Sequence, residues 1–328
     1  MTQWKKWLLA LALSLLAGVA VAADPLPSWN DGPSKRAIVA FVGKVTTAGG
    51  ADFVAQGDRI AVFDNDGTLW AEKPVPFQAM FVGDRVRAMA KDHPDWNTTE
   101  PYRSAINNDA KGLAASGEKG LMELMAATHS GMTTDEFNAT VKEWVATARH
   151  PQTGKPYTAM VYQPMLELLS YLRANGFQTW IVSGGGQDFM RAWVEPIYGI
   201  PTQQVIGSDA DMEYKLVDGK PVIVKLAKIS LIDDKAGKPV GIERFIGRRP
   251  IFAFGNSDGD RQMLEWTTAG SGPRFAGLVH HTDAKREYAY DRTDKLAQLD
   301  KAWDQAQQQG WTVVDMKREW KVVYPPAK

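Results

Sequence analysis

Three short stretches gather the residues able to do polar chemistry. Asp64-Asn65-Asp66-Gly67-Thr68 sets two carboxylates two residues apart, with a hydroxyl two further on. Ser183 is followed by Gly184-Gly185-Gly186, and Asn256-Ser257-Asp258-Gly259-Asp260 carries an amide and two acids. Clustered acids, one hydroxyl and a glycine run suit metal-assisted phosphoryl transfer. Mg2+ prefers hard oxygen ligands in octahedral geometry and keeps some waters. It offsets the repulsion between an attacking carboxylate and a phosphate dianion. Asp64 and Asp66 would share one face of a plain strand. One can attack phosphorus while the other handles protons, if their environments separate their pKa values. Ser183 can donate its hydroxyl to a phosphate oxygen, and glycines opening a helix offer backbone N–H groups to an anion. A lysine is still needed to balance charge.

Each stretch must be held by an element that ends where it begins. Arg59-Ile60-Ala61-Val62-Phe63 is a short apolar run and predicts a buried strand. Gln178–Val182 and Pro250–Phe254 predict two more, each ending at its polar stretch. Ligands of open α/β sheets bind beyond the carboxyl ends of such strands. Helical patterns occupy Ala37–Val45, Met165–Ala174, Asp188–Val194, Pro239–Ile246, Gly259–Trp266 and Lys295–Gln308. Val205–Val224, broken at Asp218-Gly219, reads as a β-hairpin. Phe275–His280 reads as a strand, and Trp311–Met316 with Trp320–Val323 as a terminal hairpin. Strands alternating with helices predict a doubly wound parallel α/β sheet. Between the first and second strands the pattern turns helical only, at Gln78–Ala90, Leu121–Ala127 and from a capping box at Thr133-x-x-Glu136 to about Ala148. Residues 76–150 therefore form an expected helical insertion within a core of 23–75 and 151–328.

The ordered set resembles the haloacid dehalogenase superfamily, in its phosphoserine-phosphatase-like branch. Asp64-Asn65-Asp66-Gly67-Thr68 matches the D-x-D-G-[TS] motif, and Ile181-Val182-Ser183-Gly184-Gly185 matches the second. The helical insertion sits where that branch carries its cap. The resemblance covers about Arg59 to Leu264. It implies that Asp64 is the nucleophile and that Asp66 is general acid, then base, with its carbonyl on Mg2+. Thr68, Ser183 and Gly184 would hold phosphate. Lys238 would neutralise charge; Pro239 suits a first helical position, and Lys235 stands as the alternative. Asn256 departs from the family's usual Asp, and Asp260 aligns with its second acid. Asp64, Asp66, Asn256 and Asp260 are thus the implied metal set, with Asp258 open. On this reading Asn256→Asp should tighten Mg2+ binding.

Other readings of the same residues are weaker. A calcium loop with Gly67 at position 6 puts Val62 and Lys73 where oxygen ligands belong. The glycines after Ser183 lack the third member of a dinucleotide fingerprint. Arg191, one turn after Gly186, is a candidate for an anionic substrate. His280-His281 ends a strand and reads either as ordinary strand-end hydrogen bonding or as a contact at the rim of the site.

Composition narrows the function further. The 328 residues hold 38 Lys+Arg, 38 Asp+Glu and no Cys. Zero net charge speaks against nucleic acid as a partner, and the missing cysteine excludes disulfides, thiol nucleophiles and Cys-ligated metal. Residues 1–22 combine Lys5-Lys6, an apolar run and an Ala20-Val21-Ala22 end, the pattern of a signal peptide. Its removal leaves 36 basic against 38 acidic residues and no stable membrane anchor. The expectation is an exported Mg2+-dependent phosphatase, periplasmic or secreted, acting on a small phosphorylated substrate. A phosphotransferase or phosphomutase on the same scaffold, or a periplasmic phosphate- or metabolite-binding protein, is the alternative. Oligomeric state is left open.

Overall fold

The computed structural model describes residues 24–326; the expected signal peptide lies outside them. Helix α1 (Pro33–Thr46) precedes β1 (Ile60–Phe63). All four β1 residues are buried, as a strand covered on both faces requires. Ile60 and Val62 pack into one layer, Ala61 and Phe63 into the other, which is the period-2 alternation of a strand.

Four helices follow: α2 (Phe77–Met89), α3 (Tyr102–Ile106), α4 (Ala110–His129) and α5 (Thr134–Thr147). Both bonds of the predicted capping box form, Glu136 N–H to Thr133 Oγ1 at 3.1 Å and Thr133 N–H to Glu136 Oε2 at 2.8 Å. Helix α4 runs well past the predicted Leu121–Ala127 and is kinked at Gly117, whose φ of +60° is not helical.

The chain then alternates: α6 (Gln163–Ala174), β2 (Gln178–Gly186), α7 (Gln187–Arg191), α8 (Val194–Tyr198), β3 (Val205–Val217), β4 (Lys220–Leu231), α9 (Gly237–Phe245), β5 (Phe252–Gly255), α10 (Arg261–Thr268), β6 (Phe275–Thr282), β7 (Ala289–Tyr290), α11 (Lys301–Gln309), β8 (Thr312–Asp315) and α12 (Met316–Glu319). The sheet order is β4-β3-β2-β1-β5-β6-β7, with β8 also on β6. All pairings are parallel except β3–β4 and β6–β7. The chain leaves β1 for β2 on one side and returns to β5 on the other, so the switch point falls between β1 and β5. The predicted α/β class is the observed one.

The β3–β4 hairpin turns at Asp218 and Gly219, both at positive φ, as a two-residue primed turn demands. It reaches the helices between β1 and β2: Gly131 N–H donates to Lys225 O at 2.8 Å and Lys225 N–H to Met132 O at 2.9 Å. The expected terminal hairpin does not form. Strand β8 lies parallel on β6, and Asp315 ends it by accepting from Arg318 N–H as a helix cap. Trp320 instead bridges antiparallel to Trp29. Helix α11 starts later than predicted, because Asp258 accepts from the N–H groups of Asp300, Lys301 and Ala302 and fixes its start. Among the described residues no helix is long and apolar enough to cross a membrane.

Candidate active site

The three polar stretches meet at the carboxyl ends of β1, β2 and β5. Asp64 follows β1 directly, and its N–H donates to Phe254 O of β5 at 2.9 Å. The chain then turns sharply: Asn65 O accepts from Thr68 and Leu69 N–H groups, and Gly67 takes a φ of +74°. His281 Nε2 lies 2.7 Å from Gly67 O and Tyr198 O–H donates to Asn65 Oδ1 at 3.0 Å. This turn carries Asp66 beyond the strand, where Trp70 Nε1–H donates to its Oδ1 at 2.9 Å. Trp70 is itself core, stacked 4.2 Å from Trp193.

Lys238, near the start of α9, is the predicted lysine in place. Its Nζ donates to Asp64 Oδ1 at 2.7 Å, Asp260 Oδ1 at 2.6 Å and Val182 O at 2.9 Å. That uses all three ammonium protons. Lys235 is excluded: its side chain is 69% exposed, beside Asp234. Thr68 Oγ1 lies 3.4 Å from Asp64 Oδ2 and 3.2 Å from Asn256 Oδ1, so three oxygens converge. Ser183 is buried, and its Oγ accepts from Gly185 N–H at 3.1 Å. Ser183 pairs with Gly207 and Gly186 with Ser208, so Gly184 and Gly185 bulge out of the ladder. A methyl built on Gly185 would lie 3.4 Å from Ser183 Oγ and 3.5 Å from Asp66 Oδ2. Hydroxyl and carboxylate thus face one small space.

The geometry departs from two expected roles, at Asp260 and Arg191, and gives Asp258, left open above, a structural one. Asp260 is engaged through both oxygens. Its Oδ1 holds Lys238, and its Oδ2 accepts from the N–H groups of Asn256 and Ser257; it anchors the lysine and the loop. Asp258 caps α11 instead. Arg191 does not reach the site: it donates to Thr202 O and Val205 O at the start of β3, below the strand ends. His280 stays at the rim, 3.6 Å from Asp291.

Sequence alone gave neither Glu72, which follows the first motif, nor Tyr290 a role in the site. Asn256 Nδ2–H and Tyr290 O–H both donate to Glu72 Oε1 at 2.7 Å. An acid amid Leu69-Trp70-Ala71 was the only signal for Glu72; Tyr290 gave none. Asp233, fully buried next to the site, was also missed. Among the described residues no donor meets hydrogen-bond geometry at its carboxylate, though the Ser183 N–H is close enough to favour the charged form. Burial pushes its pKa up to about 7.

The electrostatics are those of crowded carboxylates. Burial works against the Lys238 ammonium, but Asp260 and Asp64 outweigh it and hold the lysine above its ordinary range. Burial and Asp260 push the Asp64 carboxyl up while Lys238 opposes them. Lys238 is the firm cation of this group, because two carboxylates serve one ammonium. Burial, then Glu72, raise Asp66 to about 7 against the Trp70 N–H and Lys238. Burial also raises Glu72, against His281, Tyr290, Lys73 and Asn256.

Asp64 and Asp260, both buried, share the one Lys238 ammonium, and Glu72 and Asp66 lie close by, so carboxylates outnumber the cation and a divalent ion would offset the excess. Asp64 Oδ2 and Asn256 Oδ1 are hard oxygens at one spot, a donor type that fits Mg2+. Among the described residues no three His, Cys, Asp or Glu side chains form a metal cluster. That agrees with an amide at 256 and with Asp260 committed to Lys238.

No curated protein matches the sequence. Among solved structures, a functionally unknown protein from Anaerococcus prevotii DSM 20548 is similar at TM-score 0.57 and 14% identity, over 89% of this chain and 94% of that one. A protein of unknown function from Bordetella pertussis Tohama I reaches 0.48 at 16% identity, over 79% and 98%. A phosphoserine phosphohydrolase-like protein from Francisella tularensis subsp. tularensis SCHU S4 reaches 0.39 at 16%, over 67% and 87%. At 14% identity the first likeness speaks to fold alone. The sequence model of haloacid dehalogenase-like hydrolases matches residues 61–265, from within β1 to within α10 and across every strand end described above. The chain belongs to the haloacid dehalogenase-like hydrolases.

Proposed function

We propose that this hydrolase is a phosphatase of small phosphomonoesters that works through a phosphorylated Asp64 with Mg2+. One observation carries the reading. Burial raises both carboxyls, but Asp64 is paired to the Lys238 ammonium at 2.7 Å, while Asp66, beyond the turn, accepts from the Trp70 N–H and is raised to about 7. A carboxylate paired to a cation suits a nucleophile; one near neutrality suits a proton carrier.

The Asp64 carboxylate oxygen attacks phosphorus, and the bond to the ester oxygen breaks. Asp66 gives its proton to that oxygen, and the alcohol leaves. Asp66 then takes a proton from water as the water oxygen attacks the same phosphorus. The bond between the Asp64 oxygen and phosphorus breaks, inorganic phosphate departs, and the Asp64 carboxylate is restored. Thr68 and Ser183 donate hydroxyls to phosphate oxygens, and Lys238 stays charged throughout. Mg2+, held by Asp64, the Asp66 carbonyl and Asn256, would lower the repulsion between carboxylate and phosphate.

We also propose export, on the pattern of residues 1–22, with cleavage after Ala22 or Ala23. The helices of residues 76–150 are proposed as the cap over the strand ends. The test is release of phosphate from p-nitrophenyl phosphate by the mature chain with Mg2+, with EDTA, and as Asp64→Asn. Turnover is expected only in the first. Activity that survives Asp64→Asn would sink the mechanism.

A further inference from the structure

The family resemblance asks for an acid where the chain has Asn256, and the fold brings an acid to that amide from 184 residues away. We infer that Glu72 is a positioning residue for the cation site: it fixes the Asn256 amide with its oxygen toward Asp64, and supplies from one shell out the charge that Asn256 lacks. This inference rests on the Mg2+-dependent reading above.

The amide has two faces, and only its neighbours decide which atom points where. Thr68 Oγ1 can donate or accept, so it imposes no choice. Ionised Glu72 can only accept, so it requires the NH2 group. Asn256 Oδ1 is then left facing Thr68 Oγ1 at 3.2 Å, with Asp64 Oδ2 3.4 Å from the same hydroxyl. Glu72 is 6% exposed. The hydrogen bonds it receives come from neutral groups, Asn256 and Tyr290; His281 and Lys73 act on it only through space, and each has an acid of its own, Glu287 at 3.1 Å and Asp294 at 2.6 Å. A buried carboxylate whose hydrogen bonds all come from neutral donors is stabilised by further positive charge close by. A cation at the Asp64–Asn256 oxygens would supply it, and outer-shell carboxylates of this kind tune metal affinity. The plainer alternative is that Glu72 only braces the turn at Gly67. That role predicts altered stability without altered metal binding.

The arrangement also reverses one expectation. By sequence, Asn256→Asp adds a ligand charge. Here it would set a carboxylate against Glu72 where a 2.7 Å hydrogen bond stood.

The experiment is calorimetric titration of MgCl2 into the metal-stripped mature chain, with thermal melts as a check on folding. Glu72→Gln can still accept from Asn256 but loses the charge, and should weaken Mg2+ about 10- to 100-fold. Asn256→Asp alone should give no gain. The double variant E72Q/N256D exchanges the ends of the pair and should return to within about threefold of the wild type, a non-additive result. Equal affinity of wild type and E72Q would overturn the role of Glu72 alone. A folded double variant no tighter than E72Q would do the same. No Mg2+ uptake by the wild type would overturn the metal-dependent reading itself. Should E72Q not fold, the double variant decides, since it keeps one carboxylate and one amide.

Discussion

Gly67 offers the sharpest test of the site's packing, because the fold supplies a matched control. Gly67 and Gly219 have φ of +74° and +75°. An alanine at either position meets the same backbone penalty, about 1–2 kcal/mol. Their surroundings differ. On Gly219 a methyl meets nothing within 4 Å; on Gly67 it falls 2.0 Å from Asn256 Nδ2 and 2.2 Å from Glu72 Oε1. Neither side chain has room to retreat, since both are buried and bonded to each other. Overpacking costs about 1–3 kcal/mol, and parting a hydrogen bond to a charged group about 1.5–3 kcal/mol. Gly67→Ala should therefore be about 3–5 kcal/mol less stable than Gly219→Ala. Urea unfolding of both full-length variants measures this, as a shift in midpoint at equal slope. A gap under about 1 kcal/mol, the size of an ordinary substitution, would refute the contact between this turn and the Asn256–Glu72 pair.

Two further outcomes follow from the same geometry. Burial, with Lys225 and Arg85, lowers the His129 pKa to about 3 from an ordinary 6.5. The depressed folded pKa means the neutral ring stabilises the fold above pH 6.5, and this is lost as pH falls from 6.5 toward 3. The stability gap between wild type and His129→Phe should shift by about 2 kcal/mol from pH 8 to pH 5; a flat difference across that range would show that His129 protonates freely in the folded chain. Asp258 caps α11 through three N–H groups, so Asp258→Ala should cost about 1–2 kcal/mol and leave Mg2+ affinity unmoved; a weakened titration would return Asp258 to the metal set.

What could be read in advance was local. Apolar runs ending at Asp64, Ser183 and Asn256 gave the strands and the edge on which they converge, because a buried parallel strand is a short continuous pattern. Lys238 was legible from the helix start beside it. What could not be read was pairing. Nothing near Asp260 announces that its second oxygen is taken by the N–H groups of Asn256 and Ser257. Arg191 has the spacing of a ligand for anions, yet the start of β3 offers it carbonyls first. The run at Trp311–Met316 states a strand but not its neighbour, so a parallel place on β6 looked like half of a hairpin.

The pair at Glu72 shows why such distant contacts matter for the chemistry. With an acid at 256, the negative charge would sit among the ligands themselves. With an amide there and the acid at 72, the charge moves outward and acts in two directions. Toward Asn256 it fixes the amide. Toward Asp66 it is the largest influence after burial in raising the carboxyl to about 7. A lone substitution at 256 would reduce the charge that holds a cation. Glu72 restores that charge where it also favours the protonated form of the proton carrier. On the proposed mechanism, cation binding and proton transfer would both depend on one buried carboxylate, and a change at either 72 or 256 has to be judged by its effect on both.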